Sequence, residues 1–238
     1  MLVWDKQVAF NDPFTDNMKY MILYHGGAMA VCVMVMAVVA SGYGLVGFNS
    51  SEMESFCNEY TSNDMVETLW TGIPMVLLIC LCIPSLNLLY YSGFRPGGYM
   101  MNMKVIGHQW YWSYEYNVGH QEGGFDSYME TSLSSPNGGE DLINYMDVDN
   151  RCVLPNGVLT RVLYTSMDVI HSWFIPSFGF KNDCVPGRIG SSSLVVKEPG
   201  VYYGFCTELC GAMHSEMPIV VEVVPKPEFD AWFAALVE

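Results

Sequence analysis

Two long stretches of this chain carry no formal charge. No Asp, Glu, Lys or Arg occurs between Lys19 and Glu52, nor between Glu67 and Arg95. Each stretch exceeds the roughly 20 apolar residues that a helix needs to cross a bilayer. Hydrocarbon offers no partner to a backbone N–H or C=O, so such a segment must satisfy its own hydrogen bonds as a helix. The first span is expected over residues 21–48, and the second over 69–91. Asp5, Asp12 and Asp16 precede the first span where a cleaved leader would carry a basic region, which favours a retained helix. Pro74 and Pro84 fall inside the second, as membrane helices tolerate, and Trp70, Tyr90 and Tyr91 stand at its ends like interfacial anchors. Two spans form a hairpin with both termini on one side. The connecting loop carries Glu52, Glu54, Glu59 and Asp64 but no Lys or Arg, so loop charge does not orient it.

From Tyr99 onward the pattern changes. Short β-branched and aromatic runs at 158–164, 193–197, 201–205 and 219–224 alternate with Gly, Pro and Asn turns. That rhythm predicts an antiparallel β-sandwich or barrel. The stretch 119–141, rich in Gly, Ser and Glu, reads as an exposed loop, and 229–236 as a short amphipathic helix packed on the β domain. The expected organisation is an N-terminal segment 1–20, a hairpin over 21–95 and a β domain over 96–238. Net charge is −15, which argues against nucleic acid as a partner. From Tyr99 to the end, 17 acidic side chains outnumber 7 basic ones. A solvated surface explains such an excess, and so does a docking face for a basic protein.

The chemistry is concentrated in Cys206-Thr207-Glu208-Leu209-Cys210-Gly211-Ala212-Met213-His214-Ser215-Glu216-Met217. Thiolate and thioether select soft metals, imidazole suits copper, and a weak Met ligand is typical of copper that transfers electrons. One cysteine suffices for a single blue copper, whereas two can bridge a metal pair, and His171 upstream gives each ion an imidazole. A disulfide would leave Met217 and both histidines without a role, and structural zinc sites are built from cysteine and histidine, not thioether. Of the other cysteines, Cys32, Cys80 and Cys82 lie inside the apolar segments, Cys57 is unassigned, and Cys152 and Cys184 could pair in an oxidising compartment.

The C-x-E-x-C-G-x-x-H-x-x-M loop, with His171-Ser172-Trp173 before it, resembles subunit II of cytochrome c oxidase, of mitochondrial type. So do the run from Val105 to Tyr116 with its Trp110-Tyr111-Trp112 core, the segments Lys181-Asn182-Asp183 and Pro186-Gly187-Arg188, and Met217-Pro218-Ile219-Val220-Val221-Glu222. The resemblance covers the chain from about Glu67 to the end and, more loosely, the first hydrophobic segment. It implies a two-helix transmembrane hairpin followed by an all-β, cupredoxin-like Greek-key barrel. It also implies a dinuclear copper A centre that accepts electrons from cytochrome c and passes them to the haem of subunit I, where oxygen is reduced to water with proton pumping. The ligands implied are His171, Cys206, Cys210, His214 and Met217 through their side chains, and Glu208 through its carbonyl. The Glu208 carboxylate would reach a magnesium ion shared with subunit I.

By the same resemblance Trp110 is where electrons arrive, and Glu67 stands at the entrance of a proton channel. Glu115, Asp149, Asp168 and Asp183 match acids that dock cytochrome c. The implied partners are cytochrome c, subunit I, other oxidase subunits and the lipid bilayer. The implied setting is the mitochondrial inner membrane, with the copper domain in the intermembrane space. Quinol oxidases carry a similar subunit without the copper ligands, all of which are present here. A membrane-tethered copper-binding protein or chaperone is the remaining alternative, and co-purification with a haem-bearing subunit separates it from the oxidase.

Overall fold

The structure, a computed structural model, describes residues 10–48, 62–93, 98–130 and 146–238. Cys57, most of the acidic inter-helix loop and residues 131–141 of the expected surface loop lie outside the described residues.

Two long helices come first, α1 (Asp16–Phe48) and α2 (Asp64–Ser92). Each starts one turn or more before the apolar run that predicted it, because a polar cap precedes it. Thr15 Oγ1 accepts the Met18 N–H at 3.1 Å, and Asn63 Oδ1 accepts the Val66 N–H at 3.1 Å. Each cap satisfies one of the four backbone donors that a helix start leaves without a partner. Leu23, Val38, Phe48, Leu78 and Ile83 are all exposed on these helices, and so are Cys32, Cys80 and Cys82. A helix that is apolar on every face is built for lipid, and both helices are long and apolar enough to span a membrane.

Among the described residues ten strands follow, in two five-stranded sheets. The first sheet runs β3-β2-β1-β5-β8, from β1 (Met101–His108), β2 (Tyr111–Val118), β3 (Gln121–Ser127), β5 (Thr160–Ser166) and β8 (Gly190–Leu194). The second runs β4-β10-β9-β6-β7, from β4 (Cys152–Pro155), β6 (His171–Ile175), β7 (Phe180–Cys184), β9 (Gly200–Cys206) and β10 (Pro218–Val224). Alternate residues of each strand point inward. Met103, Val105, Trp112, Tyr114, Tyr116, Val162 and Tyr164 from one sheet therefore meet Trp173, Ile175, Tyr202, Ile219 and Val221 from the other in a single core. This is the cupredoxin-like domain that the β rhythm and the resemblance predicted, with two differences. The pairs β1–β5 and β10–β4 are parallel, because long connections carry the chain across before it pairs. The expected loop from Gly119 contains β3, an exposed edge strand whose register runs from Trp112↔Ser127 to Val118↔Gln121. Its Gly-rich sequence conceals the strand, which pairs with β2 and turns Gly123, Phe125 and Ser127 inward, Phe125 packing on Tyr114, Tyr116 and Trp232.

The tail helix α3 (Lys226–Val237) buries Phe229 and Phe233, and Trp232 meets the Tyr116 ring edge-on at 5.3 Å. The residues before α1 are stitched to the β domain. Phe14 N–H donates to Ser177 O at 3.2 Å, and Lys197 N–H to Phe14 O at 3.1 Å. The segment up to Lys19 accordingly groups with Tyr90–Glu238 as one compact unit, and Tyr20–Leu89 forms the other. Cys152 and Cys184 are separate free thiols, both buried. Cys152 Sγ lies 3.4 Å from Met103 Sδ and accepts the Tyr116 hydroxyl at 3.4 Å, so the pairing that spacing left open does not form.

Candidate metal centre

Strand register brings the first two donors together. In the β6–β9 pair Trp173 lies opposite Cys206, and His171, two residues before Trp173, projects from the same face of β6. His171 Nδ1 therefore stands 3.9 Å from Cys206 Sγ. The loop that follows Cys206 is closed at its base where Pro218 of β10 pairs with Phe205 of β9. This forces the chain to fold back, and Cys210 Sγ comes to 3.3 Å from His214 Nδ1 and 3.5 Å from Met217 Sδ. The Cys206 thiol points at the Glu208 carbonyl, 3.4 Å away. The donor atoms of His171, Cys206 and Cys210 all lie within 4.8 Å of one another, and all three residues are buried. Both cysteines are free thiols.

Behind these donors lies a layer of support. Asp168 Oδ1 accepts the His171 Nε2 proton at 2.8 Å; a carboxylate here can only accept, so the other ring nitrogen is left to face Cys206. Asp168 is itself held by the backbone N–H groups of Gln109 and Val169, each at 2.6 Å. Burial opposes its charge, but these hydrogen bonds, His171 foremost, keep its carboxyl below the usual carboxylate range. Burial likewise opposes a charged His171, and the bonds to Cys206 and Asp168 outweigh it and raise the imidazole pKa. The two thiols diverge. Burial works against a Cys206 thiolate, yet the hydrogen bond with His171 and the backbone hydrogen bonds at Ser172 and Glu208 bring the pKa below that of an ordinary thiol. Burial and the neighbouring Cys206 charge push Cys210 up to about 12.

The aromatic run frames the same loop. Trp112 Nε1 donates to the Met217 carbonyl at 3.3 Å, and its ring meets His171 at 5.9 Å. Gln109 Nε2 donates to Cys210 O at 2.8 Å. Trp110 is half-buried and its indole lies over Gly211. A Cβ at Gly211 would come within 3.0 Å of Trp110 Cζ2, and its φ of +125° disfavours other residues. Tyr111 stacks between His108 at 4.4 Å and Tyr128 at 4.5 Å. Gly107 is needed for a different reason: a Cβ there would stand 2.8 Å from His171 Cδ2.

The remaining residues singled out by sequence are spread more widely. Glu67 sits exposed in the first turn of α2, in the helical unit, and takes no part in the cluster. Glu115 is exposed on β2 and bridges to Lys104 at 2.9 Å. Asp149 accepts the Tyr128 N–H at 2.8 Å, and Asp183 is exposed on β7 opposite Ser172. Sequence reasoning counted Asp168 among surface docking charges and missed its bond to the imidazole. The D-x-x-H spacing was the available signal. Gln109 and Gly107 left no such trace.

The model of the transmembrane domain of cytochrome c oxidase subunit II matches residues 4–88, and that of its periplasmic domain matches residues 101–224. Among solved structures, the periplasmic domain of subunit II of cytochrome oxidase from Bradyrhizobium japonicum is similar at 35% identity. That match covers 60% of this chain and 96% of that one, with a TM-score of 0.52. The mixed disulfide intermediate between a thioredoxin-like protein and subunit II of cytochrome c oxidase is similar at 35% identity, covering 60% of this chain and 94% of that one, with a TM-score of 0.50.

Proposed function

This chain belongs to the cytochrome c oxidase subunit II family, and from that premise we propose that it is the electron-accepting subunit of a respiratory oxidase. The supporting observation is the buried convergence of His171, Cys206 and Cys210 beside His214, Met217 and the Glu208 carbonyl. Two thiols, two imidazoles, a thioether and a carbonyl suit copper and ill suit zinc, which rarely takes thioether. When bound, a copper pair supplies a one-electron couple for electrons arriving from cytochrome c and leaving toward the haem of subunit I.

The chain's own residues hold, orient and shield. Asp168 is a positioning residue that fixes the His171 tautomer and ring direction, as carboxylates commonly do for metal-bound imidazoles. Trp112 and Gln109 anchor the loop at the Met217 and Cys210 carbonyls. Trp110, against Gly211, is the residue through which cytochrome c would deliver its electron. Trp110→Ala is expected to slow that step and leave the copper spectrum intact; unchanged transfer from bound cytochrome c overturns the assignment.

Glu115, Asp149, Asp168 and Asp183 are proposed to dock cytochrome c, with Asp168 also serving His171. Exposed charges are screened over about 10 Å at 0.1 M salt, so neutralising the group should flatten the salt dependence of turnover. The Glu208 carboxylate is proposed for magnesium shared with subunit I, and Glu67 for proton intake into that subunit. The proposed setting is the mitochondrial inner membrane with the β domain in the intermembrane space. The chaperone alternative explains neither the match to both family regions nor the aromatic frame.

The deciding experiment is copper analysis and electron paramagnetic resonance on the oxidised, detergent-solubilised complex containing this chain. Two coppers in the β domain, with the hyperfine pattern of one electron shared equally by two nuclei, is the expected result. A single-copper pattern, or zinc alone, overturns the reading.

A further inference from the structure

A small cavity of about 90 Å³ lies in the unit that contains the β domain, away from the metal cluster. It is lined by Thr15, Asp16, Asn17, Tyr91, Ser92, Leu159, Phe180, Ser193 and Val195. Asn17 is the informative member. It is 6% exposed, and its Nδ2 donates to the Gly179 carbonyl at 2.7 Å. That bond fixes which end of the amide is which, and the other end, Oδ1, is buried with no hydrogen-bond partner among the described residues. A buried acceptor left without a donor costs free energy that a bound partner recovers.

The other polar groups of the lining decide what kind of partner fits. The Thr15 hydroxyl is fully used, donating to Phe178 O at 2.7 Å and accepting the Met18 N–H. The Asp16 carboxylate is held by Lys197, and Ser193 Oγ is bonded to the Tyr99 hydroxyl at 2.6 Å. An amide oxygen in want of a donor therefore lines the same cavity as the Asp16 carboxylate, one of whose oxygens is on Lys197, and this suits a group with N–H protons and positive charge. Position indicates where that group comes from. The lining includes the first turn of α1 and the last turn of α2, the segments at which both apolar spans end on one side. Headgroups are abundant at that level of a bilayer.

We propose that this cavity seats the primary ammonium of a phospholipid headgroup, of the phosphatidylethanolamine class, with Asn17 Oδ1 as the specific acceptor and Asp16 as the charge partner. The chemistry makes a sharp distinction. A choline headgroup carries no N–H and is bulkier, so it satisfies neither Asn17 nor the volume. The seat ties lipid to the point where the N-terminal segment is stitched onto the β domain, and it is independent of the copper reading.

The test uses the intact oxidase containing this chain, exchanged into nanodiscs of phosphatidylcholine with a minor share of phosphatidylethanolamine, and native mass spectrometry of the lipid retained. Wild type should retain phosphatidylethanolamine over phosphatidylcholine by about tenfold, the scale of one charge-assisted hydrogen bond. Stepwise N-methylation of the headgroup should erode the preference, and free ethanolamine should not compete at equal concentration. Asn17→Leu should abolish it. If that variant loses its copper signal and so its fold, Val195→Phe serves instead, filling the cavity while keeping the Asn17–Gly179 bond. Equal retention of both lipids by wild type, effective competition by free ethanolamine, or a preference that survives Val195→Phe overturns the proposal and leaves the cavity to water.

Discussion

The candidate metal centre has two halves built on different principles. One half is held by strands: His171 opens β6, Cys206 closes β9, and their spacing follows from the register between those strands. The other half is held by a loop: Cys210, His214 and Met217 are placed by the turn between β9 and β10 and by the anchors at its carbonyls. His171 is fully buried with Asp168 on its ring, whereas His214 is half-buried in a single helical turn, and among the described residues no carboxylate holds its ring. The thiols divide the same way, Cys206 inclined toward the thiolate and Cys210 resisting it. One half is placed by strand register, and the other by side-chain anchors from Trp112 and Gln109 on its loop carbonyls.

The most severe way to break that division is to remove a thiol. Cys206→Ser and Cys210→Ser should each abolish the shared-electron copper signal, read by paramagnetic resonance, because a hydroxyl is a poor bridge between soft metals.

Next comes crowding of the strand-held half. Gly107→Ala should push the His171 ring aside and cost about 1–3 kcal/mol, the usual range for overpacking a dense interior, with melting of the copper-free chain as the measure. Gly211→Ala is its loop counterpart, with a cost of about 1–3 kcal/mol from its backbone conformation. If the two halves differ as described, Gly107→Ala alters the copper spectrum more than Gly211→Ala does.

Asp168→Asn should weaken copper binding by about 10–100-fold, as loss of a supporting carboxylate commonly does. Titration of the metal into the copper-free complex tests it, and an unchanged affinity would mean that the strand register alone orients His171.

The smallest effect is one of pH. In the metal-free protein the lowered pKa of Cys206 means that its thiolate forms at lower pH than that of an ordinary cysteine. Cys210 stays protonated until about pH 12. Iodoacetamide labelling followed by peptide mapping should therefore modify Cys206 first as pH rises, and equal labelling of both would erase the distinction.

Much of this was legible in the chain itself. The spans followed from charge-free runs, the β domain from its turn rhythm, and the candidate donors from their unusual softness in one loop. The edge strand β3 was missed because a single large apolar residue, Phe125, marks its inward face; pairing with β2 and the tail helix complete it. Asp168 was read as a surface charge although its D-x-x-H spacing to His171 was visible, because that spacing alone does not show that the chain turns the carboxylate onto the ring.

Composition and order along the chain determined which segments enter lipid and which atoms can bind a soft metal, because those are properties of residues and their near neighbours. The tertiary structure alone decided that Asp168 meets His171, that Gly107 must leave room for that ring, that Gln109 reaches the Cys210 carbonyl, and that Asn17 ends with a buried oxygen lacking a partner. Asp168 reaches His171 through the short turn that leads into β6; the others depend on the closure of segments far apart in sequence, where in a strand a shift of one residue would turn the side chain to the opposite face.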